Sequence, residues 1–206
     1  MIAIVDYGVG NLFSLRSSFA AIGADAVATS DPEIIKSAEK IILPGVGAFE
    51  DAAKKLKESG LGDIVIEEAK KGKPLLGICL GMQMLFERSF EYGEHEGLGL
   101  IKGEIRPISE VIGEGLKIPH IGWNALIFKK DSKLFKYIKE GDCVYFVHSF
   151  SARGCDESVS AVSEYGAELC ASVESGNVYG CQFHPEKSGN VGLGILKAFC
   201  EMGENK

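Results

Sequence analysis

Short apolar runs alternate with helical patterns along the first half of the chain, and this alternation limits the fold more than any other feature. Residues 2–5, 24–29, 40–43 and 74–78 are apolar runs with the length of buried strands. Because strands that alternate with helices usually form a parallel sheet with helices on both faces, we predict an α/β fold. Such sheets bind ligands at the C-terminal ends of their strands, so the loops there are the first candidates for a site.

The loop after the first run contains two glycines but lacks a dinucleotide-binding fingerprint. Gly8 and Gly10 are present, whereas Phe13 occupies the position of the third glycine. We therefore predict no Rossmann cofactor site. Asn11 is a suitable N-cap for a helix that extends to residue 22, before Gly23. Similar patterns predict helices that begin at Pro32 and over residues 49–58 and 61–71.

A single cysteine lies at the turn that follows the fourth run. Cys79 is flanked by Gly77 and Gly81, and a helical pattern over residues 81–87 follows. A nucleophile at a sharp strand-to-helix turn tends to have a strained backbone, and glycines beside it remove Cβ atoms that would collide. The N-terminus of the following helix favours thiolate over thiol. Cys79 is therefore the candidate nucleophile.

The second half of the chain contains short strand-like runs in place of the alternation. Strands are predicted over residues 101–108, 124–128, 142–146, 159–162, 171–173 and 178–183, and a final helix over residues 188–202. These runs indicate antiparallel additions to the sheet. Neither a flexible linker nor an internal repeat separates the two halves, so we expect a single domain over residues 1–206.

Charge and hydropathy argue against several classes of function. The chain has 29 acidic and 22 basic side chains, a net charge of −7, and no long run of Lys or Arg, so nucleic-acid binding is not expected. The chain opens directly into an apolar strand, and no apolar stretch reaches the roughly 18 residues of a membrane span. We expect a cytoplasmic protein that does not insert into membranes.

The other cysteines and the histidines do not form a metal-binding pattern. The six cysteines include no Cys-x-x-Cys pair, and the four histidines are scattered along the chain. In a reducing compartment, free cysteines usually behave as small buried apolar residues, and we interpret the five besides Cys79 in this way. We predict no metal site.

A cysteine nucleophile needs a base, and histidine is the usual one because its pKa lies near neutrality. His184 follows the run over residues 178–183, and Pro185 forces the chain to turn there. Glu186 can then fold back and accept a hydrogen bond from the imidazole. A structural histidine is the alternative at this position. His148 also ends a strand-like run, but its aromatic neighbours favour a packed histidine.

The loop over residues 44–49 follows the third run and leads into a helix near Phe49. Its small residues allow backbone N–H groups to reach an anion at the end of the sheet. An ordinary turn before the helix explains the same residues equally well. The sequence alone leaves both interpretations open.

Three of these loops together resemble the signature loops of the class I, triad-type glutamine amidotransferases. They are Pro-Gly-Val-Gly at residues 44–47, Gly-Ile-Cys-Leu-Gly-Met-Gln at 77–83 and Gln-Phe-His-Pro-Glu-Lys at 182–187. Two further stretches, at residues 119–124 and 145–149, are similar to the glutaminase subunits of imidazole glycerol phosphate synthases. The similarity covers nearly the whole chain, although residues 155–170 carry no signature.

The resemblance implies a flavodoxin-like three-layer sandwich with a mixed, mainly parallel central sheet, and a glutaminase without a cofactor. In this family Cys79 would attack the side-chain amide of glutamine, and His184 would protonate the leaving ammonia. Water would then hydrolyse the glutamyl thioester. The oxyanion of each step would meet backbone N–H groups of Leu80, Val46 and Gly47.

The resemblance also assigns residues to the substrate. Gly47, Gln83, Glu91 and Ser149 match family positions that hold the polar groups of glutamine. For Glu91, a solvated surface charge is the competing interpretation.

The implied partner is a cyclase subunit, a (β/α)8 barrel that forms a heterodimer with the glutaminase and receives ammonia through a tunnel. The complex would make imidazole glycerol phosphate during histidine biosynthesis. Asn11, Trp123 and Lys187 fall in family motifs that lie near this interface. A core tryptophan is the alternative for Trp123, and a plain surface lysine is the alternative for Lys187.

Other functions remain possible for a chain with these motifs. One is a glutaminase that serves a different synthase, such as the pyridoxal phosphate or anthranilate enzymes. Another is a non-catalytic redox or stress-response domain in which Cys79 senses oxidants. An α/β-hydrolase is disfavoured because its acid normally precedes the histidine, whereas Glu186 follows His184.

Overall fold

An eight-stranded mixed sheet crosses the molecule and joins the two halves of the chain. The computed structural model describes residues 1–203, so the last three positions of the domain predicted over 1–206 lie outside the described residues. The strands are β1 (Ile2–Val5), β2 (Ala26–Thr29), β3 (Lys40–Leu43), β4 (Leu75–Ile78), β5 (Phe86–Ser89), β6 (His95–Glu96), β7 (Ile101–Pro107), β8 (His120–Ala125), β9 (Ile127–Phe128), β10 (Cys143–His148), β11 (Phe150–Arg153), β12 (Val159–Glu164), β13 (Glu168–Ser175) and β14 (Val178–Cys181). The helices are α1 (Leu12–Ala21), α2 (Pro32–Ser37), α3 (Phe49–Glu58), α4 (Leu61–Lys70), α5 (Leu80–Met84) and α6 (Gly189–Cys200).

The strand order of the central sheet is β2-β1-β3-β4-β14-β13-β12-β9. The five strands from β2 to β14 pair in parallel, and the last three are antiparallel additions. β4 and β14 are adjacent in register, with Ile78 opposite Cys181. The loops that follow these two strands carry Cys79 and His184, so the pairing brings both residues to one edge of the sheet.

Two buried clusters fill the space on the two sides of the sheet. Alternate residues of β1 separate between them: Ala3 and Val5 belong to one cluster, and Ile2 and Ile4 to the other. Helices α2, α3 and α4 contribute to the first cluster, and α1 and α6 to the second. The predicted three-layer α/β sandwich with antiparallel additions is therefore confirmed.

The second half adds two smaller sheets above the strand ends. β8 and β10 form an antiparallel pair in which His120 lies opposite His148. A four-stranded sheet has the order β11-β7-β5-β6, in which β5 and β7 are parallel. These additions cover the edge of the central sheet where Cys79 lies.

The structure corrects several predicted elements. The helix predicted over residues 81–87 ends at Met84, because Phe86 leaves it to pair with Ile101 in a strand. The strand predicted over 124–128 is two strands in different sheets, interrupted at Leu126, whose side chain is buried. Strands β5, β6 and β11 were not predicted because they are short and alternate poorly. The strand predicted over 178–183 stops at Cys181.

Two cysteines do not follow the predicted burial. Cys143 is exposed and Cys200 is partly exposed, whereas Cys155, Cys170 and Cys181 are buried. Cys143 begins β10, where alternate side chains point away from the core. Within residues 1–203, no helix is long and apolar enough to cross a membrane. The same residues contain no group of three potential metal ligands of the His, Cys, Asp and Glu types.

Candidate active site

Cys79 occupies the sharp turn between β4 and α5. Its φ of 54° and ψ of −113° place a non-glycine residue in a strained backbone region. A Cβ atom at Gly81 would overlap the carbonyl oxygen of Leu43, and one at Gly77 would lie 2.7 Å from the carbonyl oxygen of Gly81. Both glycines are therefore required for the turn that presents the cysteine.

His184 and Glu186 follow β14 in a short 3-10 turn over Pro185–Lys187. His184 Nδ1 and Glu186 Oε1 are 2.8 Å apart, and the two side chains are only 3% and 2% exposed. The backbone of His184 is fixed by its N–H, which donates to the carbonyl of Tyr145 at 2.9 Å. With Nδ1 engaged by Glu186, Nε2 is the nitrogen that is left for the Cys79 sulfur.

His184 and Cys79 line the same cavity, and the interaction between them changes the charge preference of the imidazole. Burial disfavours the imidazolium, but the hydrogen bonds and negative charges of Cys79 and Glu186 outweigh burial and raise the pKa of His184 to about 9. The arrangement therefore favours a protonated imidazole that is oriented by a carboxylate and paired with the sulfur of Cys79. Such a pair can act as nucleophile and proton donor in acyl transfer.

A cavity of about 320 Å³ opens onto Cys79 and His184. The sequence-predicted oxyanion and substrate residues that line it are Val46, Gly47, Leu80, Gln83, Glu91 and Ser149. Residues that were not assigned to the site from the sequence also line it: Tyr92, Pro119, Val147 and Phe150, together with His148, the histidine that was considered as a base and interpreted as packed. The fold thus gathers five separated segments and the end of β10 around one nucleophile.

The loop over residues 44–47 packs directly on the cysteine turn. A Cβ atom at Gly45 would lie 2.7 Å from the backbone nitrogen of Gly81. The Tyr7 hydroxyl donates to the carbonyl of Pro44 at 2.7 Å and holds the other end of the loop. Gly47 has a φ of 91°, a conformation that favours glycine. This packing supports the interpretation of the loop as part of an anion site.

Gln83 is buried, and its amide nitrogen is fully engaged. Nε2 donates to Gln182 Oε1 at 2.9 Å and to the carbonyl of Phe150 at 3.3 Å. Its Oε1 is thus the atom that can accept a hydrogen bond from a ligand in the cavity.

Glu91 is half-buried rather than a solvated surface charge, so the alternative interpretation from the sequence is wrong. Its Oε2 accepts a hydrogen bond from the backbone N–H of Phe49 at 2.7 Å, at the first residue of α3. Burial raises the pKa of the Glu91 carboxyl, and the hydrogen bond from Phe49 and the charge of His95 oppose it. A carboxylate at the cavity wall can receive a cationic group of a ligand.

His148 is a packed histidine, as its aromatic neighbours indicate, yet it also lines the cavity. Its Nδ1 donates to the carbonyl of Phe150 at 2.8 Å, and its Nε2 lies 3.0 Å from Nδ1 of His120. Burial lowers the pKa of His148 to about 4, so its ring is neutral near pH 7. The His120–His148 pair could not be predicted from the sequence, because the two residues are 28 positions apart.

Trp123 is 55% exposed, which excludes the alternative of a core tryptophan. Its ring lies edge-on to Tyr145 with centroids 6.0 Å apart, and Lys187 Nζ lies 5.8 Å from the centroid of Tyr145. Asn11 caps α1, and its Oδ1 accepts from the backbone N–H of Ser14 at 3.3 Å. Trp123 and Lys187 thus belong to one surface, next to the turn that carries His184.

One buried polar residue of the site was missed as a functional candidate. Gln182 is completely buried, and its Nε2 lies 3.8 Å from the sulfur of Cys79. Two signals were available for it: its position two residues before His184, and its place as the first residue of the signature stretch at residues 182–187. A glutamine in that place has to be hydrogen-bonded internally, because its burial otherwise leaves amide atoms unsatisfied.

Comparisons with known proteins agree with this geometry. The sequence model of the family described as "Glutamine amidotransferase class-I" matches residues 3–201. The chain is 52% identical over 203 residues to the imidazole glycerol phosphate synthase subunit HisH of Caldanaerobacter subterraneus subsp. tengcongensis, covering 98% of both chains. It is 51% identical over 205 residues to the same subunit of Wolinella succinogenes, covering 98% of this chain and all of that one.

A solved structure described as a glutamine amidotransferase superposes on this fold with a TM-score of 0.75. It is 20% identical in sequence, and the match covers 97% of this chain and 100% of the other. At that identity the likeness concerns the fold alone. The family match over nearly the whole sequence and the two relatives above 50% identity decide the matter: the chain belongs to the class I glutamine amidotransferase family.

Proposed function

We propose that this chain is the glutaminase subunit of an imidazole glycerol phosphate synthase and acts in histidine biosynthesis. The observation that carries the proposal is the contact of Cys79, His184 and Glu186 at one cavity, with the cysteine in a strained turn. The full-length relatives that are about half identical bear the name of this subunit, which favours it over subunits of other synthases.

The reaction begins with the thiolate of Cys79. It attacks the side-chain amide carbon of glutamine and forms a tetrahedral oxyanion. As the oxyanion collapses, the imidazolium of His184 protonates the leaving nitrogen, and ammonia departs from a glutamyl thioester. Neutral His184 then takes a proton from water, whose oxygen attacks the thioester. Collapse of the second oxyanion releases glutamate and regenerates the thiolate and the imidazolium.

Backbone N–H groups stabilise both oxyanions. The Leu80 N–H stands at the start of α5 beside the nucleophile, where its hydrogen is free of intrahelical bonds. The loop with Val46 and Gly47 faces the same cavity and supplies the second donor. Loss of one such donor typically lowers the rate by about a hundredfold or more.

Polar groups around the cavity orient glutamine. Gln83 Oε1 and the carboxylate of Glu91 accept hydrogen bonds from the amino groups of the substrate, and Ser149 and Gly47 complete the wall. Glu91 suits the α-ammonium group because it is a half-buried carboxylate beside the opening. No cofactor takes part in this scheme.

The outward face of the β8–β10 pair is the docking surface for the partner. Trp123, Tyr145 and the exposed Ile121 project from it, and Lys187 lies at its edge. The partner is a cyclase subunit of (β/α)8 barrel type that forms a heterodimer with this chain in the cytoplasm. Ammonia passes directly through a channel from one active site to the other, which avoids its protonation in bulk water.

The decisive experiment is a glutaminase assay in three steps. The isolated chain is measured first, then the chain with a cyclase subunit, and then the complex with the nucleotide ligand of the cyclase. We expect the release of glutamate to rise at each step and to disappear in the Cys79→Ala variant. Stimulation only by an anthranilate or pyridoxal phosphate synthase partner would replace the proposed partner. An unchanged rate in Cys79→Ala would eliminate the triad.

A further inference from the structure

We propose that Gln182 is a positioning residue for the nucleophile, and that its side-chain N–H group stabilises the thiolate of Cys79. The proposal rests on the proposed function for the role of Cys79. Gln182 is fully buried, and its Nε2 is 3.8 Å from Cys79 Sγ, within the range of an N–H···S hydrogen bond. Among the described residues, the side-chain amide that donates a hydrogen bond to this sulfur is that of Gln182.

The amide of Gln182 cannot turn over without breaking its other hydrogen bond. Gln182 Oε1 accepts from Gln83 Nε2 at 2.9 Å. If the Gln182 amide rotated by half a turn, its N–H group would face the N–H group of Gln83. Its oxygen would then face the sulfur of Cys79. The nitrogen of Gln182 is therefore held toward Cys79.

The orientation of the Gln83 amide is itself fixed by the carbonyl oxygen of Phe150, which can only accept a hydrogen bond. Its Nε2 also donates to the carbonyl of Phe150, and a carbonyl oxygen has no hydrogen to give in return. His148 Nδ1 donates to the same carbonyl at 2.8 Å and anchors it. A neutral His148 ring then leaves Nε2 as an acceptor for His120 Nδ1–H at 3.0 Å.

These contacts form one continuous chain of hydrogen bonds from β8 to the nucleophile. It leads from His120 through His148, the Phe150 carbonyl, Gln83 and Gln182 to Cys79. From the Phe150 carbonyl onward every link has a single allowed direction, so the chain specifies an N–H donor at the sulfur. A donor stabilises the thiolate more than the neutral thiol, because only the thiolate presents a full negative charge to it.

The backbone gives Gln182 a fixed platform. Its N–H donates to the carbonyl of Ala171 in β13 at 2.9 Å, and the Cys79 N–H donates to the carbonyl of the preceding Cys181 at 2.7 Å. The nucleophile and the amide donor are thus held at the first residues beyond two adjacent strands of the same sheet, β4 and β14. This arrangement is suited to aim a sulfur atom, since neither group depends on a mobile loop.

The test measures alkylation of Cys79 by iodoacetamide as a function of pH, which requires no turnover of glutamine. Cys143→Ser serves as the background because Cys143 is exposed, and peptide mass spectrometry assigns the product to Cys79. Gln182→Met removes the donor at nearly constant volume, and Gln182→Glu replaces it with a carboxyl oxygen. Ser160→Ala is the matched control, since the buried Ser160 hydroxyl donates to Ser172 and takes no part in the chain.

We expect the midpoint of the alkylation profile to move upward by about half a pH unit in Gln182→Met and about one unit in Gln182→Glu. At any pH below the midpoint of the profile, these shifts correspond to alkylation about threefold and tenfold slower. The Ser160→Ala profile should match the background. Superimposable profiles for both Gln182 variants, with circular dichroism of the folded protein, would overturn the proposal. If no cyclase stimulates the wild-type chain but the profiles still shift, the proposed function fails while the role of Gln182 stands.

Discussion

His184 and His148 are both buried, both follow or end a strand, and both line the same cavity, yet they differ in charge. The pKa of His184 is raised to about 9, and that of His148 is lowered to about 4. Burial acts in the same direction on both rings, so their neighbours make the difference. His184 contacts a carboxylate and a thiol, whereas His148 contacts a neutral carbonyl and another imidazole.

The comparison teaches that position beside a cavity does not make a histidine catalytic. A base in acyl transfer needs a nucleophile on one nitrogen and an orienting acceptor on the other, and His184 has both. Both nitrogens of His148 are engaged by groups that hold the site together, which suits a role in support. Substitutions of the two histidines can therefore distinguish the catalytic role of the turn that carries His184 from the supporting role of the β8–β10 pair that carries His148.

The largest expected effect is the difference between the two histidine substitutions. His184→Asn in the complex with a cyclase should lower the turnover of glutamine by at least about a thousandfold, since it removes the proton donor and acceptor. His148→Asn should lower it by no more than about tenfold. Steady-state release of glutamate measures both. Equal losses of turnover in the two variants would contradict the assignment of His184 as catalytic and of His148 as supporting.

The next effect concerns the group that orients His184. Glu186→Gln keeps the size of the side chain but removes the charge that helps to raise the pKa of His184. We expect turnover on the order of a thousandfold slower, because an imidazole without its orienting charge is a poorer general acid and base. The optimum on the pH–rate profile should also shift. Glu164→Gln, at the end of β12, is a matched control that leaves the rate unchanged.

The two histidines should also give opposite pH dependences of stability. Below the ~6.5 of an unfolded histidine, the unfolded chain protonates at His148 while the folded protein does not, until the pH reaches about 4. Stability from this group is therefore full above pH 6.5 and is lost as the pH falls to 4, by at most about 3 kcal/mol. For His184 the contribution is full below pH 6.5 and is lost as the pH rises to about 9.

This prediction is checked by urea unfolding between pH 4 and 9, followed by circular dichroism. The difference between the wild type and His148→Asn should change with pH only on the acidic side, and that between the wild type and His184→Asn only on the basic side. A His148→Asn variant with the same acidic slope as the wild type would contradict the lowered pKa of His148.

The smallest effect separates the two faces of the β8–β10 pair. Trp123→Ala removes a ring from the outward face, away from the buried His120–His148 pair. We expect affinity for the cyclase about tenfold weaker and a free energy of unfolding within about 0.5 kcal/mol of the wild type. Calorimetric titration with the cyclase measures the first quantity. A lower free energy of unfolding with unchanged affinity for the cyclase would show that Trp123 stabilises the fold rather than the interface.

The parallel half of the fold and the loops of the site could be predicted from the sequence because their signals are local. The strand around Leu76, the turn at Cys79 and the change of direction at Pro185 each follow from a few adjacent residues. The helix after Cys79 was overextended because Phe86 fits a helical pattern as well as a strand. Only its distant partner Ile101 decides between them.

Contacts between distant segments could not be predicted for the same reason. The exposure of Cys143, the link between Glu91 and α3, and the amide contact of Gln182 with Cys79 all depend on how separate strands meet. No spacing within one segment encodes them. The sequence indicates which residues lie at the ends of strands, whereas the order of the strands in the sheet determines which of these residues are in contact.

The exposure of Trp123 has a practical consequence. It is the single tryptophan of the chain, and it stands on the outward face of β8 beside Tyr145. Excitation at the long-wavelength edge of the protein absorption band therefore excites the Trp123 indole selectively. Its emission maximum will report the polarity of this surface alone, so intrinsic tryptophan fluorescence can detect a partner that docks there.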